Sequence, residues 1–187
     1  MRIISGNFRG KKILLPKDRL TRPLKDLSKE SIFNIIKHSK FIDTNIENSN
    51  ILDLFSGVGS FGLECLSRGA TSVTFLESYK EVLPILKKNI DNLKLQNFSE
   101  VIEKDIFKRS TLEFLKKRFE IIFMDPPYKE KKLTDLLHTI IKLKLLKKNG
   151  VIVIHRHRKE EDNFPKNFNI ILEKKYGKSK IIFGIIS

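Results

Sequence analysis

Apolar residues recur along the chain in two patterns, which together predict strands alternating with helices. Strand-like apolar runs cover residues 51–55, 72–77, 100–105, 120–125 and 151–155. Helical spacing covers residues 60–68, 79–93, 108–118 and 132–147. This alternation predicts an α/β fold with a mostly parallel sheet covered on both faces. Two last strand-like runs, 168–175 and 180–186, have no helix between them and predict an antiparallel hairpin at the sheet's edge.

The first 42 residues have a different pattern and predict a small extension. Residues 2–4 and 11–15 flank a turn that contains two glycines, which is typical of a hairpin. Apolar spacing from Leu24 to about His38 predicts one amphipathic helix. The polar stretch 43–50 is typical of a linker. We therefore predict an extension over residues 1–42 and the main α/β domain over residues 43–187.

The charge of the chain is strongly positive and unevenly distributed. Residues 1–40 hold 11 Lys/Arg and 3 Asp/Glu, residues 129–187 hold 15 and 6, and residues 41–128 hold 11 and 13. Basic flanks around a near-neutral centre are expected of a protein that grips a polyanion around a small-ligand site. Solvated lysine faces are the alternative interpretation, and the sequence leaves it open.

Composition also excludes several classes of protein. A single cysteine, Cys65, rules out an intramolecular disulfide and a thiolate metal cluster. The apolar runs are far shorter than a membrane span, and the N-terminus lacks the pattern of a signal peptide. His155 and His157 have a spacing that metals use, but no further ligands cluster near them, so a basic, RNA-facing or solvated loop is predicted there. We expect a cytoplasmic monomer without a metal.

The stretch GVGSFG, residues 57–62, follows the first strand of the main domain and matches the glycine loop of nucleotide-binding folds. Such loops hold either a dinucleotide pyrophosphate or another adenosine-containing ligand. Asp53 ends the strand beneath the loop, where a carboxylate repels phosphates and attracts an ammonium or sulfonium group. We therefore predict S-adenosylmethionine as the cofactor, bound by Asp53, Phe55, Gly57 and Gly59.

Acidic residues end the other strands of the predicted sheet. Glu77 lies 20 residues after Gly57, where a carboxylate can accept hydrogen bonds from both ribose hydroxyls in either type of fold. Asp105 ends the third strand and is expected to reach the adenine amino group, with Ile106 or Phe107 against the ring. The predicted cofactor set is thus Asp53, Phe55, Gly57, Gly59, Glu77, Asp105, Ile106 and Asp125.

The motif MDPPY, residues 124–128, follows the fourth strand and predicts the catalytic group. Two prolines fix the backbone, so that Asp125 and the carbonyl oxygen of a proline can accept both hydrogens of an exocyclic amine. This arrangement favours a pyramidal nitrogen whose lone pair faces the methyl donor. Tyr128 offers a flat surface for the base. We predict Asp125, Pro126 and Tyr128 as catalytic residues.

With these residues in view, the chain resembles the RsmD family of bacterial methyltransferases. The resemblance runs from MRIISGNFRGKKI through residues 21–36, DLFSGVGSFGLECLSRGA and MDPPY to Tyr176-Gly177. It implies a class I, Rossmann-like methyltransferase fold with a seven-stranded sheet. It also implies that the substrate is the N2 amine of a guanine in 16S ribosomal RNA, met in an assembled or assembling 30S particle.

The resemblance also implies RNA contacts and marks two departures. The predicted RNA-contacting residues are Arg9, Lys11, Arg22, Pro127 and Tyr128; a plain hairpin tip is the alternative for Arg9. Leu27-Ser28-Lys29 stands where the family usually has Arg-Val-Arg, and His155 stands where it commonly has Glu. Three other functions stay open on residues alone: adenine N6 methylation of RNA or DNA, non-catalytic RNA binding, and, opposed by Asp53, nicotinamide-dependent oxidation.

Overall fold

Apolar strands pair into one seven-stranded sheet in the computed structural model, which describes residues 1–16, 24–127 and 129–187. The strands are β1 (Asn50–Leu54), β2 (Ser72–Leu76), β3 (Ser99–Ile102), β4 (Phe119–Met124), β5 (Leu146–His157), β6 (Phe168–Tyr176) and β7 (Ser179–Ile186). Their order within this described sheet is β3-β2-β1-β4-β5-β7-β6. The first five strands in chain order pair in parallel, and β7 runs antiparallel to both β5 and β6. The predicted parallel sheet with an antiparallel C-terminal hairpin is confirmed.

Helices cover both faces of the sheet, because alternate strand residues are apolar on either side. The helices are α1 (Asp26–His38), α2 (Ser60–Ser67), α3 (Leu83–Asn92), α4 (Arg109–Glu113) and α5 (Leu133–Lys142). Ile51 packs in the cluster with α1, α2 and α3, whereas its neighbour Leu52 packs in the cluster with α4 and α5. Asp53 lies two residues after Ile51 in the same strand, so its side chain points to the same face of the sheet, towards α2.

The chain reverses its direction across the sheet between β1 and β4, which lie side by side. Asp53 lies opposite Phe123 of β4, and Phe123 lies opposite Val153 of β5. Open parallel sheets bind ligands at the carboxyl ends of their strands near such a switch point. The register therefore places the ends of β1, β4 and β5 together at the expected ligand edge.

The predicted boundaries of the helix before β5 were wrong. α5 ends at Lys142, five residues earlier than predicted, and Lys144 takes a left-handed backbone with φ 52° that a helix cannot continue through. The following residues turn into β5, where Phe119 donates its N–H to the Leu145 carbonyl at 2.8 Å. The lysines of this stretch suit an exposed helix and an exposed strand end equally. The predicted helix therefore extended too far towards β5.

The predicted N-terminal hairpin forms, with Arg2 bridged antiparallel to Lys12. It is fixed to α2 by Glu64, whose two carboxylate oxygens accept the N–H groups of Ile4 and Ser5 at 2.8 and 2.9 Å. Lys29 of α1 lies 3.5 Å from the same carboxylate, and both side chains are fully buried. Burial lowers the pKa of Lys29, and the charge of Glu64 opposes that shift.

The hairpin and α1 thus contribute to the same apolar cluster as the sheet, through Ile3, Ile13 and Phe33 among others. The division of the chain at residue 42 stays a prediction. Within the described ranges, no helix is long and apolar enough to cross a membrane.

Candidate active site

The glycine loop leaves β1 through backbone conformations that most side chains avoid. Phe55, the first residue after β1, has φ 61°, and Gly57 and Gly59 have φ 55° and 84°. A bulky residue with positive φ is strained, and such strain persists where surrounding contacts hold it, often at ligand sites. Ser56 supplies these contacts, because its hydroxyl donates to the Asp53 carbonyl at 2.6 Å and its N–H donates to Leu76 at 3.1 Å.

Asp53 lies directly beneath this loop and is almost completely buried, with 1% of its surface exposed. Its Oδ2 accepts the N–H of Gly62, in the first turn of α2, at 3.0 Å. The pKa of Asp53 is raised to about 8, mainly by burial and to a lesser degree by the nearby charges of Asp125 and Glu77, against the opposing hydrogen bond from Gly62. Burial thus disfavours the ionised carboxylate, and a cation that binds beside Asp53 would favour it. That Asp53 attracts a cationic ligand and repels phosphates stays a prediction.

Glu77 follows β2 and connects the glycine loop to the turn before α3. Its Oε2 accepts the N–H of Gly57 at 2.7 Å, and its Oε1 accepts those of Ser78 and Tyr79, both at 2.8 Å. A carboxylate has about four acceptor positions, so three donors leave roughly one for a ligand. In this arrangement Glu77 can accept one ribose hydroxyl rather than the two that we predicted.

Asp105 lies beyond the end of β3 and is exposed. Its Oδ1 accepts the N–H of Phe107 at 3.0 Å, which closes a short turn. Ile106 is buried and, with Phe107, lines a cavity of about 120 Å³ under α5. The Phe107 ring lies 5.7 Å from that of Phe55. The structure thus brings three predicted cofactor residues, Phe55, Asp105 and Ile106, close to Phe107.

Asp125 follows β4 and forms a close pair with a residue that the sequence analysis did not place in the site. Its Oδ1 lies 2.7 Å from Nδ1 of His155 on β5. The register accounts for the pair, since Met124 lies opposite Ile154 and the next residues of both parallel strands lie side by side. Burial alone would lower the pKa of His155, but the charge and hydrogen bond of Asp125 outweigh it and raise that pKa above its ordinary value.

Arg156 binds the loop after Asp125, and its side chain is only 1% exposed. The guanidinium donates to the carbonyl oxygens of Pro127 at 3.3 Å and Glu130 at 3.0 Å, and it also binds the carboxylate of Asp162 at 2.7 Å. The prediction of a solvated or RNA-facing loop was therefore wrong for His155 and Arg156. Both lie in β5, and both contact the motif that we predicted as catalytic.

The remaining predicted residues divide into three groups. Pro126 is buried and Pro127 is exposed beside Asp125. Arg9 and Lys11 are exposed on the N-terminal hairpin, so an RNA contact there stays a prediction. Arg22 and Tyr128 lie outside the described residues. In the described ranges, no group of three or more His, Cys, Asp or Glu side chains is arranged to hold a metal ion.

Comparison with known proteins identifies the family. The family described as Conserved hypothetical protein 95 matches residues 1–185. A protein of Haemophilus influenzae named Ribosomal RNA small subunit methyltransferase D is 35% identical over 182 residues, covering 95% of this chain and 89% of the relative. The chain belongs to the RsmD family.

Solved structures extend the similarity of this RsmD family member to its fold. A putative methyltransferase of Escherichia coli superposes with a TM-score of 0.80 at 27% identity, covering 98% of this chain and 96% of that one. A more distant putative methyltransferase, solved in complex with SAH, has a TM-score of 0.64 at 15% identity, covering 85% of this chain and 50% of that one. The predicted class I methyltransferase fold is confirmed.

Proposed function

We propose that the chain transfers a methyl group from S-adenosylmethionine to the exocyclic N2 amine of a guanine in 16S ribosomal RNA. The observation that carries the proposal is the pair of buried or half-buried acids, Asp53 and Asp125, at the switch point of a class I methyltransferase sheet. The names of the relatives support ribosomal RNA of the small subunit as the substrate. The choice of guanine over adenine comes from the family resemblance alone.

The residues at the ligand edge fit S-adenosylmethionine. Asp53 is a buried carboxyl group, and the described residues give it no cationic partner, which suits a ligand that brings its own positive charge. Glu77 has about one acceptor position left for a ribose hydroxyl. Ile106 and Phe107 offer apolar surface for the base, and Asp105 offers an exposed acceptor. When bound, S-adenosylmethionine supplies an electrophilic methyl group on sulfur.

The chain's own residues orient the amine and take its proton. Oδ2 of Asp125 makes no hydrogen bond to any described residue, so it can accept one hydrogen of the amine. Arg156 already binds the Pro127 carbonyl, which leaves the Pro126 carbonyl as the second acceptor. Asp125 would take the proton that the nitrogen releases on accepting the methyl group, which the bound cofactor would supply. With 20% of its side chain exposed, Asp125 can return that proton to water.

A polyanionic substrate suits the basic flanks of the chain, which carry an excess of positive charge at both ends. Arg9 and Lys11 on the hairpin are proposed to contact phosphates. To enter the active site, the target base must leave its stack in the RNA. The sequence supports a role for Arg22 in RNA binding and for Tyr128 in stacking on this extruded base. Extrusion costs a few kcal/mol, and stacking returns roughly 1 to 3 kcal/mol of it. We propose that the monomeric protein acts in the cytoplasm on a 30S particle.

Product identity tests this proposal most directly. Purified protein is incubated with radiolabelled S-adenosylmethionine and small subunits that lack the modification, and the RNA is digested to nucleosides. We expect labelled N2-methylguanosine from the native protein and none from Asp125→Ala. Labelled methyladenosine would show that the substrate base is adenine and not guanine. Absence of any label on subunits, naked RNA and DNA would favour a non-catalytic RNA-binding protein.

A further inference from the structure

We propose that His155 is a positioning residue for methyl transfer, which holds the Asp125 carboxylate so that its second oxygen faces the amine. The inference rests on the proposed function, because it concerns the acceptor that the proposed reaction uses. It assigns a role to a position where this chain departs from the usual residue of the family.

The contact between the two side chains is built into the sheet. β4 and β5 are parallel neighbours, with Met124 opposite Ile154, so Asp125, the residue after β4, lies beside His155 of β5. Nδ1 of His155 lies 2.7 Å from Oδ1 of Asp125, a short distance that is typical of a charge-assisted hydrogen bond. A carboxylate held through one oxygen retains one fixed direction for the other, which is the geometry that an amine acceptor needs.

The surroundings of His155 give it few other tasks. His155 pairs with the apolar residue Ile181 of β7. On the same face of the sheet, the ring of Phe123 in β4 stacks on that of Phe61 in α2. Asp125 is the one acid among the described residues whose charge acts on His155. Its Nε2 is buried and has no hydrogen-bond partner in the described part of the chain. Burying an unpaired polar atom costs stability, so packing alone does not explain a histidine here.

Two amide variants separate the hydrogen bond from the volume of the side chain. His155→Asn can place an N–H near the position of Nδ1, whereas His155→Gln places its amide near Nε2; His155→Leu removes both. His138→Gln, at an exposed histidine on α5, is the matched control. Each protein is assayed for kcat, for KM of S-adenosylmethionine and of RNA, and for its melting temperature.

We expect kcat to fall by about 10- to 100-fold in His155→Gln and His155→Leu and to recover to within about threefold of the native value in His155→Asn. Both KM values should change by less than about threefold in all variants, because the proposed role acts through Asp125 and gives His155 no contact with either substrate. A purely structural role predicts instead that activity follows the melting temperature, with Asn and Gln equally affected.

The possible failures are distinguishable. Native protein that methylates nothing overturns the proposed function, and this inference with it. Active native protein whose Gln variant keeps kcat within about twofold overturns the positioning role alone, as does equal loss in the Asn and Gln variants. If His155→Leu does not fold, the comparison between Asn and Gln still decides.

Discussion

Asp53 near the end of β1 and Asp125 directly after β4 lie on the same face of the sheet, yet their surroundings differ. Asp53 is fully enclosed, accepts one backbone N–H and has no cationic partner among the described residues. Asp125 is partly exposed and paired with His155, which brings a titratable ring to its Oδ1. Environment can assign two carboxyl groups to different tasks within one site. We infer that Asp53 gains its positive partner from the cofactor, whereas Asp125, already paired with His155, serves the substrate.

The largest effect is expected where the acceptor itself is changed. Asp125→Asn should lower kcat by about 100- to 1,000-fold, because the amide can present an N–H to the amine in place of an acceptor. Affinity for S-adenosylhomocysteine should stay within about threefold of the native value. Single-turnover methylation and calorimetric titration measure the two quantities. A large loss of affinity with unchanged single-turnover rate would assign Asp125 to the cofactor instead.

Asp53→Asn should show the reverse division of effects. Loss of the one acid that ionises against the cofactor's positive charge should weaken S-adenosylmethionine binding by about 10- to 100-fold. The rate at saturating cofactor should fall less than in Asp125→Asn. Titration of S-adenosylhomocysteine, which keeps the ammonium but has a neutral sulfur, identifies which positive group Asp53 recognises. Equal affinity of native and variant protein for both ligands would remove Asp53 from the cofactor site.

The buried state of Asp53 also predicts how stability depends on pH. Its pKa rises from 3.8 to about 8 on folding, so between these values the folded state holds a proton that the unfolded state has lost. The free energy of unfolding should therefore fall as pH rises from about 4 to about 8 and level off above. His155 acts in the same direction, because its stabilising contribution is complete below pH 6.5 and is lost as pH rises through its raised pKa.

Urea unfolding of the ligand-free protein at pH 6 and pH 8.5 measures this slope. Asp53→Asn should be more stable than the native protein at pH 8.5 and should lose most of the pH dependence, while keeping the acceptor for Gly62. A native protein that is more stable at pH 8.5 than at pH 6 would contradict the buried, protonated state.

The smallest effect is expected at the third acid of the ligand edge. Asp105 is exposed to water, so Asp105→Asn should weaken S-adenosylmethionine binding by less than about tenfold. The melting temperature should change little, because an asparagine can still accept the Phe107 N–H. Calorimetry and thermal unfolding check both. If Asp105→Asn lost as much cofactor affinity as Asp53→Asn, the contribution of these acids to binding would not follow their exposure to water.

The sequence pattern predicted the sheet and its acidic edge because both follow from local features. Asp53, Glu77 and Asp125 each directly follow apolar strand residues, Asp105 follows the third strand by three residues, and the carboxyl ends of parallel strands meet at one edge. The same rule contained a signal for His155, which directly follows the run VIVI. Its contact with Asp125, however, spans 30 residues and depends on the pairing of β4 with β5.

Burial was the second property that residue types did not reveal. Residues 155–158 read as HRHR, and their charge indicated a surface loop. Arg156 is nevertheless buried, because Asp162 and two loop carbonyls bind its guanidinium. Such partners come from a later turn of the chain and from the loop after β4, and a single sequence does not show that they meet.

The carboxylate of Glu64 has a consequence for protein engineering. It receives two backbone N–H groups from the N-terminal hairpin and lies beside Lys29 of α1 in an interior without water access. A shortened version that starts at the linker would remove these partners and would also uncover the apolar cluster against which Ile3, Ile13 and Phe33 pack, which lowers stability. Chimeras built from this chain should therefore transfer the hairpin, α1 and α2 as a single block.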